Sequence, residues 1–308
     1  MGLRVTPLRT RLGPERIELS PFTFGTMRLT HLSTGADLAT LFHLLDESGV
    51  DTFHSSDEYD TFPVFSEAVR TQRAVTPSWQ PRHIVKVAEP SFGEDHFDQD
   101  RFRRRVDSYL GHLGAERLDV VQWMIRSDTA DTAKRLNILQ AEASCIGECL
   151  DRLRADGKIG AVVVFPYAHE DVDACLAHRW CDGCAVYLNL EERQWVAAIR
   201  SAAQRGKGVV AIRPFGNGSA VWRMATALES GSPLAVPLAS QGWDNPGAAC
   251  VGLALLHPAI VTTAGTATSE AHLRAIRSVL DTKPNLGLFD RLVASPDPGP
   301  STGATLKR

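Results

Sequence analysis

The chain is defined first by what it lacks. Its 308 residues carry a formal net charge of only -3 at pH 7, so no electrostatic pull toward nucleic acid or an anionic membrane surface is expected. It has no uninterrupted apolar run of the roughly 18 residues a membrane helix requires. The opening stretch MGLRVTPLRTRLGPERIELS has no apolar h-region, which gives the expectation of a cytoplasmic location. A disulfide framework is also missing. The six cysteines, Cys145, Cys149, Cys175, Cys181, Cys184 and Cys250, all lie beyond the first 140 residues of a chain too long to need stapling, and they read as buried thiols. Cys181 and Cys184 form a CxxC, and Cys145 and Cys149 could share a helix face. No second CxxC follows, so no metal site is predicted.

A hydrophobic fraction of 44% beside 22% charged residues is that of a globular chain able to bury a large core. The basic run Arg101 to Arg105 is interrupted by Phe102 and reads as the solvated face of a helix. No residue-level repeat is present, yet element types alternate: β-branched apolar runs are followed by amphipathic helical stretches, a pattern that implies a parallel sheet. An opening ribbon spans about Arg4 to Leu19, turning near Gly13-Pro14. The strand candidates are Phe22-Gly25, Val50-Phe53, His83-Ala88, Leu118-Ile125, Gly160-Phe165, Gly183-Asn189, Gly208-Arg213 and Ala259-Ala264. Eight strands each followed by a helix close a (β/α)₈ TIM barrel, here with an N-terminal β-hairpin. The expected division is one barrel domain over residues 1–294 and a tail, 295–308, whose PDPGPSTGATLKR reads as disordered. Glu229 to Pro246, rich in Gly, Pro and Ser, is expected to loop over the rim before a helix near Ala248-Leu256.

Functional groups of such barrels sit where strands end and βα loops begin. Strand one ends in Gly25, Thr26 and Met27, strand two supplies Asp51 followed by His54, Asp57 and Tyr59, strand three carries Lys86, and strand four runs into Arg126. Asp, Tyr, Lys and a fourth polar residue arriving from consecutive strands resemble the tetrad of the aldo-keto reductases. The resemblance runs through FGTMRL, VDT in VDTFHSSDEYD, IVKV, ERLDVVQWMI, ADGKIGAVVV, VVAIRPFGNG and TTAGTATSEAHL, covering about Phe22 to Leu280.

This resemblance implies hydride transfer from NADPH to a carbonyl or imine of a small molecule. Its catalytic residues would be Asp51, Tyr59, Lys86 and Arg126. In the family the tyrosine follows the aspartate by five residues, a position held here by Ser56, so assigning Tyr59 requires a three-residue insertion in the turn. Tyr59 would be the acid, Lys86 its tuner and Asp51 the anchor of the lysine. Gly25, Thr26, Met27, Arg213, Pro214, Phe215, Gly216, Gly218, Gly265 and Thr266 would contact the cofactor, with Gly216 to Gly218 resembling the backbone-rich pyrophosphate loop. His54 and Phe165 would line the substrate pocket.

The chain departs from the family at the histidine after strand four, which aligns with Arg126, and at the Ser-Asn pair that holds the nicotinamide carboxamide, which aligns with Phe165-Pro166. The adenine-contacting Glu-Asn pair aligns with Ala275-Ile276, and no Lys or Arg closely follows Gly265. A guanidinium in place of a neutral ring favours an anionic or strongly polarised substrate. Two other readings stay open: a non-redox lyase, isomerase or cyclase using Tyr59, Lys86 and Arg126 for proton transfer, and a catalytically silent cofactor-binding barrel. As a lesser alternative, Asp51, Lys86 and Arg126 could form an ordinary ion-pair network in the barrel mouth, with Tyr59 exposed beside it.

Overall fold

The computed structural model describes residues 10–29, 35–229, 232–267 and 269–294. Strands β1 (Thr10–Leu12) and β2 (Ile17–Leu19) pair as an antiparallel hairpin. Eight parallel strands then close a barrel: β3 (Phe22–Gly25), β4 (Thr52–Ser55), β5 (Arg82–Ala88), β6 (Leu118–Met124), β7 (Ile159–Phe165), β8 (Gly183–Tyr187), β9 (Gly208–Ile212) and β10 (Ile260–Gly265), with β10 returning to β3. Runs such as Val162-Val163-Val164 and Val209-Val210 are buried on both faces because one face fills the barrel and the other meets the helix layer.

The hairpin closes the barrel floor. Leu12, Ile17 and Leu19 pack into one cluster with the inward side chains Ile84, Val120, Ala161, Val163, Ala185 and Val210. The N-terminal end of the barrel is thereby filled, leaving the C-terminal rim for chemistry. Outside the strands, Phe42, Phe53, Phe65 and Trp79 interlock edge-on and stacked around helices α1 (Gly35–Glu47) and α2 (Phe62–Val75).

The expected strands are found within one or two residues, but at β4 the difference matters: the strand begins at Thr52 rather than Val50. The basic run lies in α3 (Gln99–Leu113), and it is not simply a solvated face. Arg101 grips the fully buried Glu89 and also Glu94, while Arg105 donates to the Ala88 carbonyl at 2.8 Å. After β6 two helices follow, α4 (Thr132–Ala141) and α5 (Ala143–Ala155); β7 and β8 are followed by α6 (His169–Leu176) and α7 (Val196–Gln204). Beyond β9 come α8 (Ser219–Leu228), the short α9 (Ala235–Ala239) within the expected loop, and α10 (Pro246–Leu255). Buried Leu238 anchors α9, which a Pro-containing stretch had concealed. Asn245 caps α10 by accepting the Ala248 N–H at 2.9 Å. Helices α11 (Glu270–Arg277) and α12 (Leu286–Ala294) complete the described chain, and the expected tail, 295–308, lies outside it. No helix among the described residues is long and apolar enough to cross a membrane.

Candidate functional site at the barrel mouth

Strand register separates the sequence candidates. Thr52 is level with Arg82, and Ser55 with Val85. Asp51 therefore lies five residues below the level of Lys86, roughly 16 Å at about 3.3 Å per residue. It stands on the floor, where its carboxylate accepts from Thr52 Oγ1 at 3.2 Å and its carbonyl from the Arg82 N–H at 2.8 Å. Thr52 Oγ1 in turn accepts the Ser20 N–H at the base of the hairpin. Asp51 cannot anchor Lys86, and that assignment is corrected.

The side chain on β4 that feels the Lys86 charge is His54. It is buried, with Nε2 2.9 Å from Gln122 Oε1. Burial, with a smaller push from Lys86, lowers its pKa to about 3. Tyr59 follows His54 by five residues, the spacing that the family resemblance attaches to its aspartate. The turn thus needs no insertion; a neutral histidine stands in the carboxylate position. That spacing, counted back from Tyr59, was the signal available in the sequence.

Tyr59, Lys86 and Arg126 do meet at the mouth. Lys86 Nζ lies 4.9 Å from the Tyr59 ring centroid. Helix α3 sets this spacing from outside: the buried Tyr109 hydroxyl sits 2.6 Å from Asp57 Oδ1 and 2.8 Å from the Lys86 carbonyl, and accepts the Asp57 N–H at 2.8 Å. Asp57 is therefore a support of the turn and points away from the mouth. Thr61 Oγ1 donates to the Thr26 carbonyl at 2.8 Å, and the Thr26 N–H to the His54 carbonyl at 3.0 Å, which fastens the turn to β3.

Arg126 is neutralised by Glu58, whose two carboxylate oxygens take both ends of the guanidinium fork. Its plane also lies 4.9 Å from the Phe92 ring centroid, and its backbone is held by the Pro90 carbonyl at 3.0 Å. The bonds from Arg126 hold the Glu58 carboxyl below its ordinary pKa. Burial lowers the Lys86 pKa to about 8, with Glu58 opposing and Arg126 adding to the fall. Burial raises the Tyr59 pKa, helped by Glu58 and Tyr187 and opposed by Arg126. Lys86 therefore does not tune Tyr59 downward as the resemblance implies, and the Tyr59 phenol stays protonated.

Phe165 packs edge-on against Tyr167 at 5.4 Å and Tyr187 at 5.6 Å, forming an aromatic wall that continues through Pro166. Arg213, in a left-handed backbone conformation (φ 59°), places its guanidinium 4.8 Å from the Tyr187 ring centroid and 3.0 Å from Glu192 Oε1. Gly265 is required where it stands, because a Cβ there would fall 2.7 Å from the Phe215 ring and 3.0 Å from Pro214. Thr266 Oγ1 donates to the Gly25 carbonyl at 2.8 Å, closing the rim between β10 and β3. Met27 is exposed above it.

Two cavities flank Thr266 and Ala267. One, of about 390 Å³, lies among Phe215, Gly218, the Asn245–Ala248 start of α10, His272 and Ile276. The other, of about 270 Å³, is bounded by Arg28, Asp37, Ser269 and Leu273. Arg28 also donates to Asn217 Oδ1 at 2.7 Å, linking the two loops. Sequence reading stopped one residue short of it, and passed over Glu58, Tyr167, Tyr187 and Gln122. Gln122 was detectable as the polar member of the alternating set Val120, Gln122, Met124 that shares one strand face. The thiols described are free; Cys181 and Cys184 are buried, and burial raises both.

The barrel has the fold of the aldo-keto reductases. The holo form of an aldo-keto reductase from Bacillus halodurans superposes with a TM-score of 0.68 at 15% identity, covering 95% of this chain and 99% of that one. An aldo-keto reductase from Klebsiella pneumoniae in complex with NADP and acetate gives 0.68 at 19% identity over 94% and 96% of the two chains. A Pseudomonas aeruginosa protein assigned to the same enzymes gives 0.64 at 23% identity over 90% and 95%. At these identities the likeness is one of fold. No protein-family model matches the sequence, and no curated protein sequence matches it.

Proposed function

We propose that the chain is an oxidoreductase of aldo-keto reductase type that reduces a small carbonyl or imine with NADPH or NADH. The observation that carries this reading is the Tyr59–Lys86 contact at the C-terminal rim, beside cavities of a size and lining that suit a dinucleotide. Gly216, Asn217 and Gly218 take φ of 50°, 57° and 101° in succession, and a Cβ on Gly218 would meet no atom within 4 Å. Their backbone fits a phosphate group at the edge of the larger cavity. Gly25, Thr266, Pro214 and Phe215 would floor the slot, with Arg28 as a cation on its far side. At the carboxamide position the fit is poorer: the side chains of Phe165 and Pro166 offer no hydrogen bond.

When bound, the nicotinamide would supply the hydride. Tyr59, held protonated, is placed to donate to the carbonyl oxygen as negative charge develops there. Lys86 and Arg126 stabilise that charge, and Gln122 fixes the orientation of His54, which burial keeps neutral beside them. The unbalanced cation favours a carboxylate-bearing or enolate-forming substrate.

Calorimetric titration with NADPH and NADH tests the reading. Binding is expected, weaker than in a relative with a polar carboxamide clamp by roughly tenfold or more, since two hydrogen bonds worth about 1 kcal/mol each are missing. Tyr59→Phe should abolish turnover and leave that binding intact. Heat-free titrations and no thermal shift at millimolar cofactor would favour the second reading, proton-transfer chemistry without redox. The aromatic wall at Phe165 and the histidine in the carboxylate position support that alternative.

A further inference from the structure

Lys86 is set apart by the charges around it. From β4, His54 faces it uncharged, its Nε2 committed to Gln122. From the turn after β4, Tyr59 offers its ring face and Glu58 has both oxygens engaged by Arg126. Arg126, after β6, adds positive charge, and Arg105 on α3 is turned to the Ala88 carbonyl and Ser91 Oγ. Among the described residues, no carboxylate lies within ion-pair distance of Lys86 Nζ. The side chain is part-buried, so its amine is desolvated and still reachable from the mouth. A barrel lysine that served only as a cation would keep a carboxylate beside it; here the neutral His54 stands beside it instead.

We propose that Lys86 is also an amine nucleophile, which condenses reversibly with an aldehyde or ketone to form an imine without any nicotinamide. The Nζ lone pair adds to the carbonyl carbon, and the carbon–oxygen π pair moves to oxygen. The oxygen takes the Tyr59 phenolic proton, and tyrosinate recovers one from nitrogen, giving the carbinolamine. Tyr59 then protonates the hydroxyl, nitrogen expels water, and the iminium proton returns to Tyr59. Amine and carbonyl become imine and water, with no change of oxidation state. A lowered pKa near 8 leaves a substantial neutral fraction at mildly alkaline pH, as this step requires. The inference uses the same mouth as the reductase reading and does not depend on hydride chemistry.

Incubating the full chain with butanal and cyanoborohydride, without nicotinamide, traps the imine as a stable alkylamine that peptide mapping locates. At pH 7.5, Lys86 is expected to be alkylated at least about tenfold faster than the remaining lysines, because part of its desolvated amine is neutral at that pH. His54→Asp restores a carboxylate beside Nζ and should bring Lys86 down toward the other lysines; Tyr59→Phe should slow its labelling about tenfold. Labelling of wild-type Lys86 no faster than that of other lysines would overturn the proposal, as would indifference to both substitutions. Lack of NADPH binding would remove the reductase reading and leave the labelling result standing, whereas unlabelled Lys86 in a chain that binds and oxidises NADPH would do the reverse.

Discussion

Replacing Lys86 by methionine should stabilise the protein, because the folded chain carries a desolvated ammonium there. Burial lowers this pKa from 10.5 to about 8. At neutral pH that fall corresponds to about 3 kcal/mol of folding free energy lost to the charge. Methionine keeps an unbranched apolar stem one atom shorter, and gives up a cation–π contact worth about 0.5–1 kcal/mol. A net gain of about 2 kcal/mol at pH 7 is therefore expected, a rise of roughly 3 °C in midpoint for a chain of this size. The pH dependence is the sharper test. Between the folded pKa and 10.5 the unfolded wild-type chain binds a proton that the folded chain has released, so wild-type stability climbs with pH across that window. The variant lacks the climb. Its advantage should shrink to about 1 kcal/mol by pH 9.5 and vanish above 10.5. Urea denaturation of both proteins at pH 7, 8.5 and 9.5 reads the difference directly. A destabilised variant at pH 7, or an advantage that does not change with pH, would refute the account of Lys86 as a desolvated and uncompensated cation.

Two further outcomes follow from the placement of the other candidates. Once a substrate is turned over, Arg126→Lys should lower kcat/KM at least tenfold, since a single ammonium cannot reproduce the fork, and Arg126→His should lose activity too; wild-type rates in both would reduce Arg126 to a surface ion pair with Glu58. Asp51→Asn should leave turnover within about twofold of wild type, because its carboxylate is separated from Lys86 by roughly the height of the strand. A loss of a hundredfold or more, measured on folded protein, would return Asp51 to the mechanism.

Most of the fold was legible because parallel strands buried on both faces leave an unambiguous apolar signal; runs such as Val162 to Val164 could be little else. The site was less legible. Glu58 is adjacent to Tyr59 in sequence, but its bond to Arg126 joins two loops 68 residues apart and exists only once the barrel closes. The assignment of Asp51 failed through register. Residue type suggested an aspartate, whereas the height of a side chain along a strand is fixed by pairing, here Thr52 with Arg82. Gln122 and His54 needed each other to be recognised, and Arg28 acquires meaning only through Asn217 on the other side of the rim.

The Tyr109 hydroxyl couples the two reactive groups of the mouth. One atom on the outer helix layer holds both the turn that presents Tyr59 and the strand that presents Lys86. The distance between the two reactive groups is therefore inherited from the seating of α3, whose contacts, including Phe62 against Tyr109, lie behind the mouth. A change in that seating would retune which carbonyl compounds fit between phenol and amine while every residue of the mouth stayed the same. Directed evolution of this chain toward a new substrate should accordingly yield winning substitutions on the outward-lying α2–α3 seam as well as on the rim.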